Sequence, residues 1–331
     1  MKKIQIKIRR LNPSDIESPE PYTQAYMIKV SEDMSVLEAL QKIVDEEDPT
    51  LAYRRSCRAA ICGSCAMKIN GFSKLACHTL ILQEFNKRGE VLIEPLANYP
   101  VLKDLIVDLD PFWKKINKTS PFLIPPPKRK KTPSITAEDE KKIDSSQKCI
   151  MCGVCNSECN ALEVDRKFIG PAALAKSWRF VGDLRDDMPK KRLFPLSDMH
   201  GMWDCVRCVQ CSQYCPKEVN PLRQIEKLRS TAIKKGIHNN QGAKHALSMA
   251  DSLRRFGRLD EAAMTYKTLG FLRSLGMIPL GIKMELHGKM PKPLLFAQIK
   301  HLDEVKKIFK ICESEDKKKM KAKKQKRKNH D

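Results

Sequence analysis

The chain has 331 residues, a formal net charge of +22 and a pI near 9.5. Its length favours two or three modest domains, and 41% apolar residues suffice for packed cores. The charge is compatible with nucleic acid, an anionic membrane surface, an acidic partner or simple solubility. Residues 269–286 are the most apolar stretch, but three charges and a proline interrupt them, so no transmembrane helix is predicted.

The first hundred residues predict a small α+β domain. Residues 1–13 alternate like a strand and lack the apolar core of a signal peptide, so we expect a location on the cytoplasmic face. Ser35 and Glu38 form a capping-box pattern at the start of a helix. The predicted elements are strands at 4–8 and 22–30, a helix at 36–44, and strands at 66–69 and 91–93 connected through an Asn70–Gly71 turn.

The remaining chain divides by composition. Residues 121–135 are rich in proline and basic, which is typical of a stiff linker. Helical periodicity follows, first with two cysteine runs and then with almost no cysteine, and the lysine-rich end predicts disorder. The predicted segments are a domain at 1–105, a linker at 106–136, a helical domain at 137–235, a helical partner-docking extension at 236–316 and a disordered basic tail at 317–331.

Clustered cysteines in a chain of this length indicate metal binding rather than disulfides. The first group has the spacing Cys57-x4-Cys62-x2-Cys65-x11-Cys77. Three thiols on one loop and a fourth from a nearby segment match the plant-type [2Fe–2S] pattern. Gly63 and Ser64 are small, which lets backbone N–H groups approach the cluster sulfurs. Zinc also accepts four thiolates, but its sites usually combine two C-x2-C pairs, so this spacing favours iron.

Two further cysteine runs share one spacing. They are Cys149-x2-Cys152-x2-Cys155-x3-Cys159 and Cys205-x2-Cys208-x2-Cys211-x3-Cys215, the latter followed by Pro216. Each matches the bacterial ferredoxin run, in which three cysteines hold one cubane and the fourth ligates the other. The predicted ligand sets are therefore Cys149, Cys152, Cys155 and Cys215 for one cluster, and Cys159, Cys205, Cys208 and Cys211 for the other. Zinc is again the alternative.

No catalytic apparatus accompanies these cysteines. The sequence has no glycine-rich nucleotide loop and no nucleophile–base pair, and His78 beside Cys77 reads as structural. Cations near the clusters would offset the charge of the thiolates and raise the reduction potential, or would simply be solvated surface groups. The candidates are Arg55, Arg58, Lys148, Arg207 and Lys217. Three clusters without substrate chemistry predict a protein that passes single electrons between partners.

The order of the motifs resembles the iron–sulfur subunit of succinate dehydrogenase and fumarate reductase. The matching strings include SCRAAICGSCAMKING, VLKDLIVDLDPFW, FIGPAALAKSWRF and CPKEVNP, and they cover residues 1 to about 235. The resemblance implies a plant-type ferredoxin (β-grasp) α+β domain followed by an all-α bacterial ferredoxin-like domain and a helical C-terminal extension. It implies one [2Fe–2S] and two [4Fe–4S] clusters that relay electrons between an FAD-bearing flavoprotein and a membrane-side quinone partner.

The sequence departs from the resembling family at the third cluster. Commoner members lack a cysteine at the position of Cys208 and hold a [3Fe–4S] cluster, so the fourth thiol here favours [4Fe–4S]. Ubiquinone-reducing members have a proline and an aromatic pair after the ligand equivalent to Cys159, where this chain has residues 160–163, NALE. Val206 replaces a quinone-site histidine. The usual quinone pocket is therefore not expected on this chain. Near the first cluster, Ala59-Ala60 replaces the usual Glu-Gly.

Residues 236–316 extend past the usual end of this subunit. Their string FGRLDEAAMTYKTLGFLRSLGMIPLGIKM resembles the C-terminal helices of the small iron–sulfur subunit of heterodisulfide reductase. That resemblance implies the unconventional, methylmenaquinol:fumarate reductase-like class, whose third subunit carries CCG motifs. A thiol-linked fumarate reductase with a heterodisulfide-reductase-like partner is the alternative.

Other partners and locations follow from the basic character of the chain. Without a helix-turn-helix or base-reading pattern, we expect no nucleic acid. The basic tail predicts either contact with an anionic membrane surface or a solvated extension. A periplasmic face becomes the expectation if a partner with a signal exports the complex. Cys312 lies outside all three cysteine groups.

Overall fold

The computed structural model describes residues 1–14, 20–126, 135–289 and 298–328. The chain forms two compact units, Met1–Ile237 and His238–Asp331. Residues 127–134 of the predicted linker and 329–331 of the predicted tail lie outside the described residues. All twelve cysteines of the three motifs belong to the first unit.

A mixed five-stranded sheet forms the N-terminal part of the first unit. Its strands are β1 (Lys2–Arg10), β2 (Tyr22–Val30), β3 (Ala66–Ile69), β4 (Phe72–Leu75) and β5 (Val91–Glu94), in the order β2-β1-β5-β3-β4. Strand β1 pairs antiparallel with β2 and parallel with β5. Ile4, Ile6 and Ile8 alternate with exposed or half-buried polar residues, so one face of β1 enters the core.

Two helices and two short strands also belong to this part. Helix α1 (Val36–Glu46) begins at the predicted capping box, with the N–H of Glu38 donating to Ser35 Oγ and the Ser35 N–H to the Glu38 carboxylate. Its apolar stripe, which includes Leu40 and Ile43, is buried against the sheet. The other elements are α2 (Ile81–Arg88), β6 (Val101–Lys103) and β7 (Ile106–Val107).

Two features differ from the sequence prediction. The Asn70–Gly71 turn leads into β4, which the sequence analysis did not identify, and the 91–93 segment instead lies between β1 and β3 as β5. Residues 110–117, placed in the predicted linker, form helix α3 (Asp110–Asn117). Phe112 and Ile116 of this helix are buried in the core, because its apolar face packs like that of any amphipathic helix.

The C-terminal part of the first unit is entirely helical. Its helices are α4 (Ala137–Gln147), α5 (Val154–Ser157), α6 (Asn160–Val164), α7 (Pro171–Val181), α8 (Pro189–Leu196), α9 (Gln210–Gln213) and α10 (Pro221–Lys234). Helix α7 is central and buries most of its residues. The buried Arg192 guanidinium of α8 pairs with Asp186 and donates to the carbonyl oxygens of Thr119, Ser120 and Phe122. This arginine fastens the chain after α3 to the helical part.

The second unit is also helical. It contains α11 (Gln241–Phe256), α12 (Glu261–Leu269), α13 (Phe271–Leu275), α14 (Ile278–Leu286) and α15 (Leu302–Lys328). The sequence predicts disorder from residue 317, whereas α15 continues to Lys328. Lysine, alanine, glutamine and methionine all have high helix propensity, which accounts for the difference. Within the described ranges, no helix combines the length and apolarity needed to span a membrane.

Candidate cluster-binding sites

The plant-type loop wraps its backbone N–H groups around a sulfur atom. Residues 57–65 contain three positions with left-handed backbone, at Arg58, Ala60 and Gly63. Alternation of ordinary and left-handed residues turns successive N–H groups to one side of the chain, which creates a concave anion site. The N–H groups of Ala59, Ile61 and Cys62 lie 3.4, 3.3 and 3.2 Å from Cys57 Sγ, and the Ala60 N–H lies 3.3 Å from Cys77 Sγ.

The four thiols of this loop span a gradient of burial. Cys57 is exposed, Cys65 is buried at the start of β3, and Cys77 lies on the short helix Ala76–His78. Hydrogen bonds from Ser64 lower the pKa of Cys62 to about 6, whereas burial raises the pKa of Cys65 to about 12. The site therefore favours a thiolate at Cys62, whereas the buried Cys65 needs a cationic centre beside it to be held as a thiolate.

A small cavity lies under the first ferredoxin run. Its volume is about 390 Å³, including solvent space at its mouth, and its lining contains Cys149, Cys152, Cys155 and Cys215 together with backbone and apolar side chains. The three cysteines of one run and the last cysteine of the other thus share one cavity. This is the grouping that the predicted cross-over requires.

A second cavity, of about 320 Å³, receives the other four cysteines. Its lining contains Cys159, Cys205, Cys208 and Cys211. The apolar residues Phe168, Leu222 and Ile225 complete the wall, and Arg207 is its charged member. Cys208, the fourth thiol predicted for this site, thus lines the same space as the other three.

The two runs repeat one backbone conformation. Met151 and Gly153 have φ values of 57° and 79°, and their counterparts Arg207 and Val209 have 59° and 71°. In each run, one left-handed residue precedes the second cysteine and another follows it. These two residues bend the backbone of the run around its cavity. Glycine adopts this conformation without steric cost, but a β-branched residue such as Val209 does not. The second run therefore holds strain that the first avoids.

The donor chemistry of both cavities fits iron–sulfur clusters. Desolvation, with repulsion from neighbouring thiolates, raises the pKa of Cys155 well above its ordinary value and that of Cys211 to about 12. Four soft thiols in an apolar cavity become ligands only when a cationic core compensates their charge. Helix α5, which contains Cys155, contacts helix α9, which contains Cys211, so the two cavities are neighbours.

The predicted cations lie in different places. Lys217 lines the first cavity, and Arg55 and Arg58 lie in a surface groove that also contains Cys77. Lys148 instead pairs with Asp144 at the surface. Arg229 on α10 was missed by sequence reasoning, since only folding brings it to the second cavity. Its buried guanidinium donates to the carbonyl oxygens of Met202 and Cys205. His78 and Cys312 lie at no cavity wall of the cubane sites.

The plant-type loop is in direct contact with the first ferredoxin run. A Cβ atom on Gly63 would lie 2.7 Å from Cys152 Cβ, so only glycine allows this approach. Tyr99 is buried, and its hydroxyl donates to the Gly153 carbonyl oxygen at 3.0 Å. Ser73 of β4 hydrogen-bonds to Ser157 and Glu158, which lie between the last two cysteines of the same run. The spacing between the first two sites is therefore fixed by packed, hydrogen-bonded backbone.

Known protein families match both halves of this arrangement. A model of a 2Fe-2S iron-sulfur cluster binding domain matches residues 5–114, and a model of a 4Fe-4S dicluster domain matches residues 145–219. A chain of the Mycobacterium smegmatis Sdh1 complex in the apo form shares the fold with a TM-score of 0.63 and 22% identity, over 70% of this chain and 96% of that one. The protein is an iron–sulfur protein with two-iron and four-iron clusters.

Curated relatives refine this class. The fumarate reductase iron-sulfur subunit of Haemophilus influenzae is 35% identical over 67% of this chain and 90% of its own length. The succinate dehydrogenase iron-sulfur subunit of Paracoccus denitrificans is 38% identical over 69% and 88%. The 8-methylmenaquinol:fumarate reductase iron-sulfur subunit of Wolinella succinogenes is 33% identical over 81% and 86%. The chain belongs to the iron–sulfur subunits of succinate dehydrogenase and fumarate reductase, as predicted.

Proposed function

We propose that this chain is the electron relay between an FAD-bearing flavoprotein subunit and a membrane-side partner. The observation that carries the proposal is the row of three thiol sites in one compact unit. Gly63 of the first site contacts Cys152 of the second, and helix α5 of the second site contacts helix α9 of the third. Sites in such close succession suit single-electron transfer, which needs short and fixed distances.

Each site has a proposed ligand set. The [2Fe–2S] ligands are Cys57, Cys62, Cys65 and Cys77, in a domain that we assign to the β-grasp fold. The inner [4Fe–4S] ligands are Cys149, Cys152, Cys155 and Cys215. The outer [4Fe–4S] ligands are Cys159, Cys205, Cys208 and Cys211. The membership of the two cavities supports the partition of the last eight cysteines.

When bound, the clusters supply reversible one-electron redox chemistry, which no side chain of the chain offers. The residues hold, space and shield the three sites. Backbone N–H groups at Ala59, Ile61 and Cys62 stabilise the anionic sulfur of Cys57. The walls of both cavities are mostly apolar, which disfavours added charge, and Lys217 and Arg207 at their walls counteract that effect.

The third site is proposed to hold a complete [4Fe–4S] cluster rather than [3Fe–4S]. Cys208 lines the cavity with the other three cysteines, which supports ligation of a fourth iron. Low-temperature EPR of the intact, air-free complex tests the nuclearity. We expect a signal of a reduced four-iron cluster, and a stable oxidised three-iron signal at stoichiometric intensity contradicts the assignment.

The second unit is proposed as the surface that docks a CCG-motif partner. Its helices α12, α13 and α14 bury no residue, and they expose a run of large apolar side chains. The exposed residues include Phe271, Leu272, Ile278, Ile282 and Leu286. Surfaces of this kind mark interaction sites. The alignment with the Wolinella succinogenes subunit extends over 279 residues, against 235 for the Haemophilus influenzae subunit, which supports a shared extension.

The membrane-side reaction has two candidate forms, which differ in the compound that exchanges electrons with the partner. In the first, electrons exchange with a quinone through the partner. In the second, the partner oxidises a thiol, as expected for a heterodisulfide-reductase-like subunit. Copurification with a CCG protein and activity with a quinol support the first, whereas activity with a dithiol alone supports the second. A di-haem transmembrane anchor in the purified complex contradicts the CCG assignment.

We place the complex at the membrane periphery, on the cytoplasmic face unless a signal-bearing partner carries it across. The basic residues of α15 suit an anionic lipid surface, whose attraction weakens with salt. Removing residues 317–331 tests this role. Loss of salt-sensitive membrane retention supports it, and unchanged retention contradicts it.

The relay itself is tested by reoxidation. The complex with its flavoprotein is reduced by dithionite, freed of reductant and mixed with fumarate, and EPR follows the three cluster signals. We expect fumarate to reoxidise the clusters in the complex but not in the separated chain. Clusters that stay reduced in the complex contradict the relay, and zinc in place of iron and sulfide contradicts the sites themselves.

A further inference from the structure

Three potential metal ligands converge outside the cysteine sites. They are Asp165, just after α6, His200, in the loop after α8, and Asp204, at the end of the short helix Met202–Asp204. His200 Nδ1 lies 2.7 Å from Asp165 Oδ2 and 3.8 Å from Asp204 Oδ2. One donor atom from each residue fits within 4.8 Å of the other two. The imidazole thus stands between two carboxylates that belong to separate segments.

Local hydrogen bonds fix the positions of these side chains. The Asp165 N–H donates to Ala161 O at 2.9 Å, and Asp165 Oδ1 accepts the Lys167 N–H at 2.9 Å. Asp165 Oδ2 is therefore the oxygen that faces the imidazole. The carbonyl oxygen of His200 accepts the Ile169 N–H at 2.9 Å, which anchors the loop beside Asp165. Ligands held by backbone contacts need little rearrangement to bind an ion.

The charge of the group favours a cation, because two carboxylates flank one imidazole. Two of the neighbouring basic residues make their hydrogen bonds elsewhere. Arg229 donates to backbone carbonyl oxygens, and Lys115 Nζ donates to the carbonyl oxygen of Arg166 at 2.7 Å. A divalent ion between two carboxylates would relieve their repulsion more fully than a single imidazolium, because its charge is larger.

We propose that Asp165, His200 and Asp204 bind a divalent cation, with Zn²⁺ as the preferred ion. Imidazole nitrogen and carboxylate oxygen are both zinc ligands, and water would complete the coordination. The three side chains are 39%, 34% and 40% exposed, so an ion reaches them directly from solvent.

The cation would act on the third cysteine site. Asp165 follows Cys159 within the same short segment, and Asp204 immediately precedes Cys205. The ion would tie together the two segments that bring these cysteines to one cavity. Its positive charge would also favour the reduced state of a cluster bound there, which raises the reduction potential. This second effect rests on the proposed relay function, whereas cation binding itself does not.

Zinc binding is tested on the cluster-loaded chain in a Cys312→Ser background, which removes an exposed competing thiol. After a wash with EDTA and a check of iron and sulfide content, Zn²⁺ is titrated by calorimetry and retained zinc is counted by elemental analysis. We expect one equivalent per chain, with affinity at least about tenfold weaker in Asp165→Asn and His200→Asn. Asparagine suits both positions, because it keeps a polar group and tolerates the left-handed backbone of His200.

The matched control is His245→Asn, an exposed histidine of the second unit. We expect it to bind zinc like the parent. No retained zinc, or equal affinity in all three variants, overturns the site. An EPR redox titration with and without Zn²⁺ then tests the link to the third cluster. An upward shift of its potential that Asp165→Asn abolishes supports the link, and an unchanged potential overturns it. Intact signals from all three clusters without zinc binding would reject the cation site and leave the relay standing.

Discussion

The two ferredoxin runs have the same ligand spacing and the same backbone curl but different surroundings. The first run has glycine at its second left-handed position, and the Tyr99 hydroxyl reaches Gly153 there. The second run has Val209, half exposed, at the equivalent position. The residues between the cysteines of the first run contact the N-terminal part of the unit. Those of the second run include two valines that are exposed to solvent.

This difference suits the first run to a position in the middle of the proposed electron path and the second run to its end, where a partner would accept electrons. Cys152 of the first run touches Gly63 of the plant-type loop. Val206 and Val209 of the second run are 66% and 50% exposed beside the second cavity. Cysteine spacing therefore specifies how a cubane site is built, and the residues between the cysteines determine what the site can contact.

The largest expected effect is the loss of the four-iron cluster at the third site while the [2Fe–2S] cluster remains. Cys208→Ser removes one of four thiols from the second cavity, and we expect loss of the four-iron signal of that site with the [2Fe–2S] signal unchanged. The reason is that the remaining thiols cannot hold a fourth iron. EPR with iron and sulfide analysis measures the outcome. Cys312→Ser, outside all three sites, should change nothing. Loss of all three signals would mean that the substitution disrupts folding instead.

The next effect tests the contact between the plant-type loop and the first run. In Gly63→Ala the new Cβ would clash with the Cys152 backbone and side chain in a left-handed conformation. Clash and strain together should cost about 3 kcal/mol or more of stability. Gly71→Ala is a close control, because its φ is also positive but nothing lies within 4 Å of the added atom. Thermal unfolding of both chains measures the difference, and equal losses would remove the contact as the cause.

A smaller effect concerns the hydroxyl that reaches the first run. Tyr99→Phe leaves the Gly153 carbonyl oxygen without this donor, which should cost about 1–2 kcal/mol and alter the EPR line shape of the inner cluster. Tyr53→Phe, which loses a hydrogen bond to Gln41 elsewhere, serves as the control. Its line shape should match that of the parent. Identical spectra for both variants would show that the Tyr99 hydroxyl does not position the run.

The smallest effect has the opposite sign. Val209→Gly relieves left-handed strain in the second run and should raise stability by about 1 kcal/mol. Val206→Gly, exposed in the same run but not left-handed, should lower stability because glycine adds freedom to the unfolded chain. The melting temperatures of the two cluster-loaded variants should therefore move in opposite directions. A fall in both would mean that the second run is not strained at Val209.

Local signals in the sequence predicted much of the fold. The capping box at Ser35 and Glu38 and strand β2 were predicted correctly, because both depend on neighbouring residues. Strand β4 was missed because its polarity does not follow its burial: Ser73 and Leu75 are buried, whereas Phe72 is exposed. Helix α3 was missed because the predicted linker, at 106–136, included the residues before the proline-rich segment as well as that segment itself. The pattern inside that helix, with Phe112 and Ile116 four residues apart, was the available signal.

For the sites, spacing was informative and long-range contacts were not. The ferredoxin pattern predicts that the first three cysteines of each run group with the last cysteine of the other, and the linings of the two cavities have that membership. Arg229 and Tyr99 reach the sites from outside the cysteine runs. No periodicity or short motif connects such residues to a cavity, because their proximity depends on how whole helices and strands pack.

The crossed membership of the two cavities constrains biosynthesis. The plant-type loop has all its cysteines once residue 77 has been synthesised, but each cubane cavity draws on both runs. Neither cavity can receive its complete set from a nascent chain that ends before Cys205, and the inner one waits for Cys215. The site at the amino end is therefore the first to have all its proposed ligands in the growing polypeptide, and the other two are incomplete until the ribosome has passed through the second run.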